Sequence, residues 1–279
     1  MVSVKVASLV GAAVAVFASA AQAADMPGLP PIYAPPIEEY SPSPSGWYLR
    51  GDIGMTNQQF NGIHQRLYDA PGTSVEHVGF AWDSGMFAGL GLGYKINDWF
   101  RGDVTGEYRG KTSLHGSDSV TFNGGAGVDN YSGTKSEWVF LANAYFDLGT
   151  WWCVTPYIGA GVGMADIMIK GFRDDGFNNF GISTAYAEDA SKWNFAWAVH
   201  AGLTYKVTQA MSIDLGYRYL NMGTGTTGAT RAFDNSFTNG GPFTFKNIDS
   251  HDFKLGVRWM LEPPVQSQPA MLSPLMRRG

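Results

Sequence analysis

The chain has 279 residues, with 19 Lys+Arg against 24 Asp+Glu and a formal net charge of −5. That balance excludes the basic stripe of a nucleic-acid binder. Its one cysteine, Cys153, excludes an intramolecular disulfide framework or a Cys-cluster metal site. Outside the first 23 residues no apolar run reaches the roughly 18 residues of a membrane helix, and 14% aromatic residues with 36 glycines are the composition of a β protein.

In chain order, Lys5, the apolar run 6–20 and Ala21-Gln22-Ala23 read as a secretory signal with its A-x-A cleavage site. Cleavage after Ala23 leaves 256 residues with a net charge of −6. Seven of the 14 prolines lie in 24–45 and four in 262–279. Proline removes a ladder donor, so sheets exclude it and extended linkers accept it. The expected organisation is therefore a signal peptide 1–23, a Pro-rich linker 24–45, one domain 46–261 and a Pro-containing tail 262–279.

Inside the domain the apolar period is two, which argues strand. Residues 47–55 set Trp47, Leu49, Ile53 and Met55 against Tyr48, Arg50, Asp52 and Gly54. The second strand, 82–95, places Trp82, Met86, Leu90 and Tyr94 on one face and Phe87, Gly89, Gly91, Gly93 and Lys95 on the other. The third, 99–109, opposes Phe100, Val104 and Tyr108 to Arg101, Asp103, Glu107 and Arg109. The fourth and fifth, 137–148 and 154–165, oppose Trp138, Phe140 and Ile158 to Asn143, Asp147 and Gly159. The sixth, 193–206, alternates Trp193, Trp197, Val199 and Tyr205 with Ala198, His200 and Lys206. The last two set Leu215, Tyr219, Phe253 and Trp259 against Asp214, Arg218, Asp252, Lys254 and Arg258.

Eight strands result, and the connections alternate in length. Segments 57–78, 110–136, 168–191 and 221–249 are long, whereas 96–98, 149–152 and 207–210 are short. An even strand count with loops sorted this way predicts an all-β, eight-stranded antiparallel up-and-down transmembrane β-barrel. It has four long extracellular loops and three short periplasmic turns, and segment 24–45 becomes a periplasmic linker. The large aromatics, Trp82, Trp138, Trp193, Trp197 and Trp259 among them, are too bulky for an eight-stranded interior and are expected to face lipid. The charged and glycine face is expected to fill the lumen with paired charges.

The motifs Gly93-Tyr94-Lys95-Ile96-Asn97-Asp98-Trp99, Thr155-Pro156-Tyr157-Ile158-Gly159-Ala160-Gly161, Asp214-Leu215-Gly216-Tyr217-Arg218-Tyr219 and Leu255-Gly256-Val257-Arg258 occur in order. In this combination, over 46–261, the chain resembles the OmpA/opacity-type outer-membrane surface antigens, most of all the small barrels of alphaproteobacteria. The last strand resembles the signal read by the outer-membrane assembly machinery, although 18 residues follow Leu261.

No catalytic, cofactor or metal site is assigned. Asp174-Asp175-Gly176 with Asn178 and Asn179 reads as a solvated acidic turn in preference to a cation loop. His115 with Ser117 and Asp118 is a triad-like local set whose spacing specifies nothing. Cys153 is expected to be buried or lipid-facing, and His200 to sit in the lumen beside charged partners. The long loops carry three more acids than bases, which does not suit a polyanion receptor. The expected protein is a non-enzymatic outer-membrane surface protein, structural or interactive. A narrow porin is the alternative and a lipid-modifying enzyme the third reading. Its expected partners are outer-membrane lipid, the assembly machinery and a loop ligand of unknown identity, with no nucleic acid and no cofactor.

Overall fold

The computed structural model describes residues 46–234 and 240–261. The expected signal peptide, linker and C-terminal tail lie outside the described residues. Twelve strands follow in chain order: β1 (Gly46–Gln59), β2 (Ile63–His64), β3 (Ser74–Trp82), β4 (Gly85–Lys95), β5 (Phe100–Phe122), β6 (Gly125–Asp147), β7 (Val154–Asn178), β8 (Gly181–Ala187), β9 (Ala190–Lys206), β10 (Met211–Thr226), β11 (Thr230–Ala232) and β12 (Thr244–Met260). Eight of them close a ring of antiparallel pairs, β1-β4-β5-β6-β7-β9-β10-β12, in which β12 returns to β1 with Leu49 opposite Trp259. Closure pairs every ring strand on both sides, so the ring has no open edge.

The connections at one end are tight, and their sequences explain why. In 96–99 the Asn97 carboxamide oxygen accepts the amides of Trp99 at 3.0 Å and Phe100 at 2.8 Å. Between β9 and β10 the Thr208 hydroxyl accepts the Met211 amide at 2.9 Å. The turn before β7 places Trp152 and Cys153 at positive φ, 50° and 68°. Cys153 is exposed in that turn, one residue before the strand starts, so of the two expected positions, buried or lipid-facing, the buried one does not hold.

At the other end the expected long loops are mostly sheet. β5 and β6 run 23 residues each and meet at a two-residue turn, Asn123-Gly124, so 110–136 is strand almost throughout. β7 continues for 25 residues and folds back as β8, which pairs with β11. β3 pairs with the upper part of β5 above the end of β4. These segments form a sheet extension that stands on the barrel as a rim.

Bulges on β5 and β7 mark the passage from barrel to rim, and β10 shifts register against β12 over 221–225. β5 carries an extra residue between Arg109 and Thr112, and β7 one between Lys170 and Arg173, where Gly171 takes φ +59°. An extra residue reverses which parity points inward. On β5 the buried residues are accordingly Arg101, Asp103, Glu107 and Arg109 below the bulge, but Thr112, Leu114 and Asp118 above it.

The outward barrel face is apolar and exposed, with Leu90, Val104, Phe195, Val199, Leu215 and Phe253 in its middle. Exposed rings flank it at both ends: Trp47, Tyr94, Tyr205 and Trp259 near the short turns, and Tyr108, Trp138 and Trp193 towards the rim. Two girdles around an apolar band are the outer surface of a transmembrane barrel. Trp82 corrects the expectation: it is only 4% exposed and packs inside against Phe60 and Phe245. The segment 82–95 is interrupted at Asp83-Ser84, which resets the alternation so that Trp82 points inward while Met86 points out.

Candidate functional site

The lumen is built in layers. Nearest the short turns, Arg101 pairs with Asp147 at 3.2 Å while its guanidinium lies over the rings of Tyr145 and Tyr157, 4.3 and 4.8 Å from their centroids. Arg258 pairs with Asp214 at 3.3 Å. One step deeper, Asp103 accepts hydrogen bonds from Arg50 at 2.8 Å, Tyr48 at 3.0 Å and Asn143 at 2.9 Å, and Arg50 also binds Asp52. Glycines leave the room: a side chain on Gly93 would strike the Tyr48 ring, and one on Gly161 the Asn143 carboxamide. His200 is buried in the lumen, and its Nε2 meets the Asn143 carboxamide oxygen at 3.1 Å.

Above this lies the densest charge cluster. Arg109 binds Asp252 through both terminal nitrogens, at 2.9 and 2.8 Å, and Glu107 at 3.0 Å. Arg218 binds both Glu107 oxygens, at 2.8 and 2.7 Å, and Asp252 at 2.6 Å. The Phe87 ring lies beside both guanidiniums, at 5.2 and 5.1 Å. Lys135 binds Glu137 and Gln58. Forked Arg–carboxylate pairs of alternating sign are the arrangement that lets charge persist out of water. Over the cluster sits an apolar cap, in which Leu114, Phe172, Phe243, Phe245 and Ile248 are at most 1% exposed.

The rim beyond the cap holds a cavity of about 430 Å³. Tyr68, Phe122, Tyr131 and Phe233 line it together with Asp129, Asp174 and Asp234, and among the described residues no Lys or Arg does. The rim strands set the acids side by side on the inward face: Asp118 lies opposite Asp129, and Tyr131 opposite Asp174. Asp118 is satisfied by the Tyr68 hydroxyl at 2.9 Å and His77 Nδ1 at 2.6 Å. Asp129 and Asp174 form no ion pair among the described residues. Burial first, then the Asp129, Asp175 and Asp118 charges, pushes the Asp174 carboxyl up to about 8. Burial and Asp118 likewise raise Asp129, and burial raises the Tyr68 and Tyr131 hydroxyls.

The residues weighed from sequence scatter. Asp174 and Asp175 point to opposite faces of β7, and Asp175 pairs outward with Arg173 at 2.8 Å, so this stretch is a strand and not a turn. His115 and Asp118 likewise fall on opposite faces of β5: His115 lies 3.7 Å from Asp83, and Ser117 binds Asn130 at 2.6 Å. Missed were the cavity residues Tyr68, Tyr131 and Phe233, which stand in segments expected to be loops.

A closed ring of eight antiparallel strands, apolar outside and filled with paired charge, defines the small outer-membrane barrel class. The sequence matches the family described as Outer membrane protein beta-barrel domain over residues 10–260, and the chain belongs to that family. An uncharacterized protein of Brucella suis is 33% identical over 226 residues, 74% of this chain and 78% of the relative. The outer membrane protein PagN of Salmonella typhimurium is 33% identical over 149 residues, 50% of this chain and 59% of PagN. Among solved structures, Neisserial surface protein A matches with a TM-score of 0.38 at 19% identity, over 77% of this chain and 97% of that one.

Proposed function

We propose that the chain is a non-enzymatic surface-interaction protein of the Gram-negative outer membrane, cleaved after Ala23 and held in outer-membrane lipid after insertion by the assembly machinery. The barrel is its anchor, and the rim is presented outside the cell. The observation that carries this reading is the rim itself: two of the four expected loops, 110–136 and 168–191, are almost entirely paired strands standing over a buried apolar cap, a built surface more than a set of open connections. A lumen filled by ion pairs supports an anchor more than a channel.

Topology tests the reading. Epitope tags inserted near Thr73, Asn123, Asn179 and Gly228 are expected to label on intact cells, and tags at Asn97 or Gln209 only after permeabilisation. Labelling at Asn97 on intact cells overturns it.

A further inference from the structure

The rim ends in two adjacent hairpin tips, 119–128 and 176–187, whose 22 residues include no Asp, Glu, Lys or Arg. Their outward side chains are large and apolar: Phe180 is 78% exposed and Ile182 76%, with Phe177 and Val128 beside them on facing register positions. Phe233, 76% exposed, continues the patch through its ring contact with Tyr186. Hairpin backbones satisfy their own polar groups, so these tips can enter an apolar medium without stranding amides. Charge begins immediately beneath them. Arg173 and Arg231 are neutralised by Asp175 and Glu188, which leaves Asp129 and Asp174 on the cavity wall beside Tyr68, Tyr131, Phe122 and Phe233.

We infer that the rim docks on a zwitterionic bilayer, its uncharged tips entering the interface while the acidic, aromatic cavity below takes a quaternary ammonium headgroup. The argument is charge complementarity at two depths. Uncharged aromatic and aliphatic tips match the bilayer interface. Carboxyl groups with ring faces match a methylated ammonium, which needs π surface and anionic charge but no hydrogen-bond acceptor; the arriving cation itself favours the ionised form of Asp174 and Asp129. An excess of acids repels anionic lipid, so phosphatidylcholine is favoured over phosphatidylglycerol. The chain's own terminal segments are poor occupants, because Gly46 and Leu261 lie at the opposite end of the barrel, across the membrane. This inference rests on the surface-interaction reading; the tag experiment tests that reading, and the following tests the inference alone.

The full mature protein, held in phosphatidylglycerol nanodiscs, is mixed with vesicles of phosphatidylcholine or of phosphatidylglycerol and floated in 0.5 M salt. The wild type is expected to float with phosphatidylcholine vesicles. Phe180→Ser with Ile182→Ser should reduce flotation at least tenfold, and Asp174→Asn several-fold. Soluble phosphocholine should compete, which assigns the cavity to the headgroup; failure to compete while Asp174→Asn binds normally removes the cavity from the proposal. Protease resistance of each variant reports its folding. Absence of flotation, equal flotation by the folded tip variant, or preference for phosphatidylglycerol overturns the inference. So does self-association of the nanodiscs, abolished in the tip variant without vesicle binding, which would make the rim a contact between copies.

Discussion

Asp174 carries a cost that depends on pH. Its carboxyl is raised to about 8 in the folded rim by burial and neighbouring acids, against about 3.9 in an unfolded chain. Between these values the folded state holds a proton that the unfolded state has released, so stability falls as pH rises from about 4 towards 8. The stability present below pH 4 is lost by the time the folded group ionises. Denaturant titrations of the protein in lipid should therefore show a steeper decline from pH 5 to pH 8 for the wild type than for Asp174→Asn. The variant should be the more stable of the two at pH 8, and identical pH dependences would refute the assignment. This residue was visible in the sequence, but its environment was not. Asp129 and Tyr131 reach it only because β6 and β7 stay paired far beyond the membrane band, past the bulge near Gly171.

At the scale of the element, the strands were legible where two faces meet different media. Val199 is 50% exposed and Ala198 1%, one residue apart on β9, as the alternation of 193–206 implies. Arg on the lipid side of a barrel near the midplane costs roughly 2–4 kcal/mol. Val199→Arg should lower unfolding stability in bilayers by about that much, and Ala198→Ser should be mild; equal tolerance at both positions would sink the face assignment. The rim strands were not legible for a physical reason. Both of their faces meet mixed surroundings, and the bulges at 110–111 and near Gly171 reverse the parity in mid-strand. Trp82 was misplaced by the same mechanism, a break at Asp83-Ser84. Phe172, Phe243 and Phe245, which form the cap, stand in segments whose pattern gave no strand at all.

Across the whole molecule, the lumen determines whether the barrel anchors or conducts. Its charges and the fact that they pair are legible in the sequence; which residue pairs with which is not. Arg101 and Asp103, neighbours in the alternation, belong to different clusters, Arg101 with Asp147 and Asp103 with Arg50. The pair to disrupt is therefore Arg50 with Asp103. In planar bilayers the unmodified protein is expected to show no sustained large conductance, because an eight-stranded interior is filled by side chains. Arg50→Ser with Asp103→Ser should raise the leak, and steady porin-sized currents from the wild type would promote transport to the leading role.

The seam between β1 and β12 has a consequence for how the chain can be cut and rejoined. The Leu261 amide donates to the Trp47 carbonyl at 2.8 Å, so the two ends of the barrel are neighbours although more than 200 residues separate them in sequence. Chain order is thus a weaker constraint than ring order: what must be preserved is each strand's pair of neighbours. A circular permutant that joins 261 to 46 through a short linker and opens at Asn123-Gly124 keeps every ladder of the ring. It should refold into lipid vesicles to the same protease-resistant barrel, whereas deletion of 244–260 leaves two open edges and should aggregate. Failure of the permutant with a linker of adequate length would show that the order of strand synthesis, and not the ring alone, governs assembly.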